Sequence, residues 1–290
     1  STATTTVAVT AASASSFSGR TATPGSVQPF AARTYRVHSA RLTDNKILNV
    51  YKDDISGSTA DYYGIVGTVS GTSSAFRAVL ATLNADGVSV TWSTPTPITT
   101  DVSYSDITRL SDTKFAVVFE HNITGAANAA EGKAVIGTVS GTTITMGSIQ
   151  SFESSSAVGE VGITALSDTG VVIAYEDDGA SDEGKILYAT ISGTTFTFNG
   201  TTDFYSGQAI TAFDIKALSS TDFALTIDGG TANDGDFYTG LVSGTSVSVS
   251  AVGTLLTGQT NRTSIAPLTS DKFVVSYIDI EDIAGTTTDN

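Results

Sequence analysis

Two aspartates are the residues best placed to carry chemistry. Asp106 and Asp214 each stand four residues before a leucine, in the segments DITRL and DIKAL, and His38 holds the same position in HSARL. Two carboxylates brought together from different parts of a chain can hydrolyse a glycosidic bond, one as acid and the other as nucleophile or base. The alternative is that each aspartate caps its own turn. We predict all three as binding residues and assign no catalytic residue.

The elements that position these residues belong to an internal repeat. A leucine followed by a polar turn and a run of strand-forming residues recurs at Leu42, Leu110, Leu166, Leu218 and Leu268, with spacings of 68, 56, 52 and 50 residues. We call these residues the anchor leucines. A period of this length is typical of the blades of β-propellers.

One copy, Ala165–Phe198, shows the whole unit. A strand ends at Leu166, a tight turn leads to the β-formers Val171–Tyr175, an acidic loop follows, and Ser192-Gly193 joins the last two strands. Short turns between strands predict a four-stranded antiparallel meander.

The repeat predicts an all-β fold: a single five-bladed β-propeller of four-stranded antiparallel blades spanning residues 1–290. The last copy has only two of its strands, and the first anchor leucine is preceded by two predicted strands. We therefore expect the N-terminal strands to close the last blade and remove its open edge. A β-solenoid or an open array is the alternative. The predicted blades are 31–100, 101–156, 157–206 and 207–258, with 1–30 plus 259–290 as the closing blade.

The first predicted blade is too long. Tyr63–Val69 and Ala78–Leu83 could each be its third strand, so this blade has an inserted hairpin or contains part of a sixth blade. Tyr62, Tyr63 and Trp92 also fall within it. Aromatic rings stack on sugars and anchor protein contacts, and we predict this patch as a glycan or protein contact. The alternative is that the rings belong to the core.

Acidic residues follow nearly every second strand. They are Asp53, Asp54, Glu120, the run 176–178, Asp228 and Asp279. One hypothesis is a ring of cation or sugar contacts; the one we favour is a set of solvated turns. The loops 177–184 and 228–236 are rich in oxygen ligands and glycine, which suits calcium, but they lack the EF-hand spacing. We expect no cofactor, and calcium is the one cation considered.

Composition excludes several partners. The 290 residues carry 14 Lys and Arg against 29 Asp and Glu, a net charge of −15. Such a chain lacks the cationic surface that nucleic acids and anionic membranes require, so we expect neither partner. There is no cysteine, which removes disulfides and thiolate metal sites.

Two segments, Leu110–Ile144 and Leu268–Asp279, give the chain a resemblance to a known group. Their SDTKFAVVFE, GTVSGTTIT and SDKFVVSY phrases resemble repeats of β-propeller proteins of tailed-phage virions and large bacterial surface proteins. The resemblance implies an extracellular or virion-surface location. Our leading hypothesis is a non-enzymatic structural or interaction protein that contacts other protein subunits of an assembly. A carbohydrate-binding propeller that recognises surface glycans is the second hypothesis, and a glycosidase using Asp106 and Asp214 is the third.

Overall fold

The computed structural model describes residues 34–43, 46–53, 75–83, 90–94, 96–122, 130–179, 183–206, 209–229, 234–256 and 260–279. These residues form antiparallel sheets that follow one another along the chain. The first sheet contains β1 (Thr34–Thr43), β2 (Lys46–Asp53), β3 (Ala75–Leu83), β4 (Val90–Trp92) and β5 (Thr96–Thr100). The second contains β6 (Val102–Ser111), β7 (Lys114–Asn122), β8 (Ala130–Ser140), β9 (Thr143–Met146) and β10 (Gln150–Glu153).

The third and fourth sheets are complete four-stranded meanders. The third contains β11 (Val158–Ser167), β12 (Gly170–Asp177), β13 (Glu183–Ser192) and β14 (Thr195–Tyr205). The fourth contains β15 (Ile210–Ala217), β16 (Asp222–Gly229), β17 (Asp234–Ser243) and β18 (Ser246–Leu256). The fifth has two described strands, β19 (Thr260–Thr269) and β20 (Lys272–Asp279).

The first strands of the sheets lie side by side in chain order. β1 packs on β6, β6 on β11, β11 on β15, and β15 on β19. We call these five strands the inner strands. Successive antiparallel sheets with adjacent inner strands are consistent with the predicted propeller-like, all-β fold.

Apolar side chains fill the spaces between consecutive sheets. In β12, Val171, Ile173 and Tyr175 pack toward the second sheet, and Val172 and Ala174 pack toward the fourth. All five are completely buried. A strand covered on both faces reads as a continuous apolar run instead of an alternating one, which explains the β-formers after each anchor leucine.

Glycines occupy two kinds of position that depend on the absence of a side chain. The hairpin turns before the fourth strands place Gly141, Gly193 and Gly244 at φ of 60°, 61° and 63°, a region that glycine enters without steric cost. Elsewhere, Gly240 lies opposite Phe223 in neighbouring strands, and an added methyl group would collide with the phenylalanine ring.

The first predicted blade has two candidate third strands, and one of them pairs with β2. The third strand is β3, which contains Ala78–Leu83 and pairs with β2. The other candidate, Tyr63–Val69, lies outside the described residues, as do the predicted N-terminal strands.

Candidate functional site

Asp106 joins the second sheet to the third. Its carboxylate accepts a hydrogen bond from the backbone N–H of Ile107 at 2.7 Å and another from the N–H of Ile163 at 2.9 Å. Ile163 lies on the inner strand of the next sheet. Both carboxylate oxygens of Asp106 therefore bind main-chain donors.

Asp214 makes the equivalent connection between the fourth and fifth sheets. Its Oδ2 accepts hydrogen bonds from the N–H of Ile265 at 2.7 Å and from the hydroxyl of Ser264 at 2.9 Å. Its Oδ1 is paired with the ammonium of Lys216. The two aspartates thus act alike, although they come from sheets that the third sheet separates.

Threonines two residues before the anchor leucine continue the pattern. Thr108 accepts a hydrogen bond from the N–H of Ala165 at 3.1 Å, and Thr164 accepts one from the N–H of Ala217 at 2.9 Å. In both cases the donor is the residue just before the anchor leucine of the next sheet. We call the bonds that Asp106, Thr108, Thr164 and Asp214 accept from backbone N–H groups of the next sheet the inter-sheet ladder.

The last pair of sheets lacks both the donor and the acceptor of this bond. The residue before the last anchor leucine is Pro267, which has no N–H to donate. The residue that would accept this bond is Lys216 instead of threonine, and its ammonium binds Asp214. Sequence reasoning missed the threonines, although their repeated place in the register was visible.

This arrangement suits cohesion better than catalysis. A glycosidase needs one carboxyl free to donate a proton and another free to attack or to activate water. Asp106 and Asp214 instead accept bonds from the backbone N–H groups of neighbouring sheets. A carboxylate that satisfies buried donors stabilises the sheet contact, because an unpaired backbone N–H is costly there.

The remaining predicted binding residues are only partly described. His38 lies on β1 opposite Val50, and Trp92 lies on β4 opposite Ala81. Tyr62 and Tyr63 lie outside the described residues. The aromatic patch stays a prediction.

The expectation that the acids after the second strands are solvated is wrong for four of them, although Asp178 does lie in an exposed turn. Glu120, Glu176, Asp177 and Asp228 are buried, with exposed fractions of 6%, 6%, 4% and 1%. Glu176 accepts a hydrogen bond at 2.7 Å from the N–H of Ile210, the residue that begins the next inner strand. Burial follows because the start of the next inner strand covers this position.

Lys185 lies among carboxylates of the third sheet. Its ammonium is 3.2 Å from Asp177 Oδ2, 3.2 Å from Glu183 Oε2 and 3.4 Å from Asp203 Oδ1. Burial alone would lower the pKa of Lys185, but the hydrogen bonds to Glu183 and Asp177 outweigh it and raise the pKa. The lysine therefore stays charged and neutralises acids of the loop considered for calcium.

Tyr175 and Glu153 form a second polar contact beside this cluster. The fully buried tyrosine donates its hydroxyl hydrogen to Glu153 Oε2 at 3.4 Å. Burial, followed by the charges of Glu153 and Asp177, raises the pKa of Tyr175. Burial opposes ionisation of Glu153, but hydrogen bonds from the Ser155 hydroxyl and from backbone N–H groups outweigh it and lower its pKa. The pair is a neutral phenol bound to a carboxylate.

The described part of the chain has neither a metal-binding cluster nor a membrane-spanning helix. Within it, no group of three or more His, Asp or Glu side chains is arranged to hold a metal ion. Across the same residues, no helix has the length and apolar character needed to cross a membrane. The loops considered for calcium include residues 180–182 and 230–233, which lie outside the description.

Comparison with known proteins gives structural similarities only. No family model and no curated protein matches the chain. A protein of unknown function from Dyadobacter fermentans is similar over 83% of this chain and 74% of its own, with 10% identity and a TM-score of 0.49. A mutant of the NanB sialidase from Streptococcus pneumoniae is similar over 70% of this chain and 32% of its own, with 16% identity and a TM-score of 0.44. Neither similarity is close enough to transfer an activity.

Proposed function

We propose that this chain is a non-enzymatic structural or interaction protein of a virion, filament or cell exterior that acts through contacts with other protein subunits. The observation that carries the proposal is the inter-sheet ladder. Asp106 and Asp214, the strongest candidates for chemistry, bind the backbone of the next inner strand. Polar residues of the inner strands that bond to the neighbouring sheet favour a rigid scaffold. The outer surfaces of such a scaffold make the contacts with other protein subunits.

The proposed architecture is a five-bladed ring whose last blade is completed by strands from residues 1–30. Spacing supports it: four and three residues separate the ends of β14 and β18 from the next inner strand, and three residues separate Phe30 from β1. Charge also supports it, since residues 1–33 contain two arginines and no acidic residue in a chain of net charge −15.

The fifth sheet has the uncovered surface that this closure needs. Its anchor leucine, Leu268, is 65% exposed, whereas Leu42 and Leu110 are 1% and 3% exposed. Val274 is 52% exposed, and its counterpart Val172 is completely buried. Exposed apolar groups at positions buried in the other sheets indicate a contact surface.

The closure is tested by deleting residues 1–30 and comparing the product with a chain that lacks residues 281–290. The first deletion is expected to lower the unfolding midpoint and to raise hydrogen exchange in β20, and the second to leave both near the full chain. Equal behaviour of the two chains would exclude the N-terminal strands as the closing element.

The function is tested by the assembly state of the protein from its native source. Light scattering with electron microscopy is expected to reveal a regular particle or filament with this chain at repeating positions. A stable monomer would contradict the structural role. The enzyme alternative is tested on a panel of glycosides with the double variant Asp106→Asn and Asp214→Asn. If the unaltered chain hydrolyses a glycoside and the double variant does not, the result would support a glycosidase instead.

A further inference from the structure

Two threonine hydroxyls are buried between the fourth and fifth sheets without a bonding partner. Thr226 on β16 is 0% exposed and Thr263 on β19 is 7% exposed. Among the described residues, neither hydroxyl oxygen has a hydrogen-bond partner. Burying a hydroxyl without a partner is unfavourable, so such a pair calls for an explanation.

The register shows that these two positions face each other. The eighth residue after one anchor leucine and the fifth residue before the next lie in the same apolar cluster at the two contacts on either side of the third sheet. Between the second and third sheets they are Val118 and Val161. Between the third and fourth they are Ala174 and Phe213. At these two contacts the pair is apolar and offers a water molecule no partner, so these layers are dry. Between the first and second sheets the fifth residue before the anchor leucine is the buried Ser105.

Thr226 and Thr263 hold the same two positions between the fourth and fifth sheets. The residues two places along each strand, Ala224 and Ile265, belong to one apolar cluster. Side chains two apart on a strand share a face, and Thr263 and Ile265 are buried while Ser264 between them is exposed. Both threonines therefore project into the contact between these sheets. Both members of the pair are therefore hydroxyl residues at this contact.

We propose that Thr226 and Thr263 bind one internal water molecule between the fourth and fifth sheets. A buried water needs two to four polar partners. The two hydroxyls supply two of them, each able to donate and to accept. Asp214 lies directly opposite Thr226 in the strand pair, so its carboxylate borders the same layer and supplies a third.

Valine substitutions test this site through the sign of their effects. In Thr226→Val or Thr263→Val, the water loses a partner and the other hydroxyl stays buried, so the folding equilibrium constant should fall about tenfold. The double variant restores the dry pair found at Val118 and Val161 and should recover most of that loss. Hydroxyls that bind no water give the opposite result: each single substitution stabilises the chain and the two effects add.

Serine variants and a dry-layer control complete the experiment. Thr226→Ser and Thr263→Ser keep the hydroxyl and should keep the water. Val118→Thr places one hydroxyl in a dry layer and should destabilise the chain in the same urea titration.

A high-resolution crystal structure of the unaltered chain should place one water within hydrogen-bond distance of both threonines, and that of the double variant should lack it. A direct hydroxyl-to-hydroxyl bond, or a density peak that disappears after dialysis against a chelator, would overturn the assignment. This water site belongs to the contact between the fourth and fifth sheets and does not depend on whether the chain is a structural protein.

Discussion

Replacing Asp106 with alanine tests the inter-sheet ladder most directly. The variant removes the acceptor for the N–H of Ile163, which bonds to the carboxylate at 2.9 Å across the contact between the second and third sheets. A hydrogen bond to a charged group contributes about 1.5–3 kcal/mol, and its loss leaves a donor unpaired. We therefore expect Asp106→Ala to lower the free energy of unfolding by roughly 2 kcal/mol.

Two further variants make the result specific. Asp106→Asn keeps one acceptor oxygen and should lose roughly half as much. Asp112→Ala removes an acid that is 70% exposed and paired with Arg109, and exposed ion pairs contribute little. This control should stay close to the unaltered chain.

The assay combines urea unfolding, followed by circular dichroism, with hydrogen exchange at individual amides. The amide of Ile163 should exchange at least about tenfold faster in Asp106→Ala, since 1.4 kcal/mol corresponds to that factor. Amides of the fourth sheet should change less. If Asp106→Ala and Asp112→Ala have the same stability and the same exchange at Ile163, the ladder does not hold the sheets together.

Three other perturbations test separate features. Lys185→Met leaves the buried Asp177 carboxylate without its ammonium partner. Urea titration should show that the free energy of unfolding falls by roughly 1–3 kcal/mol. This is less than for a fully buried ion pair, because the lysine is partly exposed. Burial, followed by the charges of Asp236 and Tyr205, raises the pKa of Tyr238 from 10.0 to about 12. Because the unfolded chain ionises first, the free energy of unfolding should be unaffected below pH 10 and should fall between pH 10 and pH 12. It should fall less over this range in Tyr238→Phe. Gly240→Ala should cost about 1–3 kcal/mol through its collision with Phe223. Adding Phe223→Val, which recreates the Val171–Ala189 pair of the third sheet, should restore thermal stability.

The sequence predicted the strands better than it predicted what the polar residues do. The anchor leucines and the Ser-Gly turns mark strand ends because both depend on local geometry, so the sheets could be placed from spacing alone. The role of Asp106 could not, since its partner is the N–H of Ile163, 57 residues away. A backbone donor leaves no signature in residue type.

Burial of the acids was missed for a related reason. Glu176 follows a strand and precedes a polar loop, a context in which acids are usually solvated. Its burial depends on the start of the next inner strand, where Ile210 supplies the N–H that it binds. The charge of Lys185 likewise gave no indication of its three carboxylate neighbours, because strand pairing determines which of them meet.

The inter-sheet ladder also bears on how such a repeat can evolve. In each bond the accepting sheet contributes a particular side chain, whereas the donating sheet contributes only an N–H group that any residue except proline provides. A duplicated unit can therefore diverge freely at its donor positions without losing its alignment to its neighbour. At the last contact Pro267 has no N–H to donate, and the matching acceptor position holds Lys216 instead of a threonine. Units of this kind can drift far apart in sequence while the stacking of their sheets is inherited unchanged.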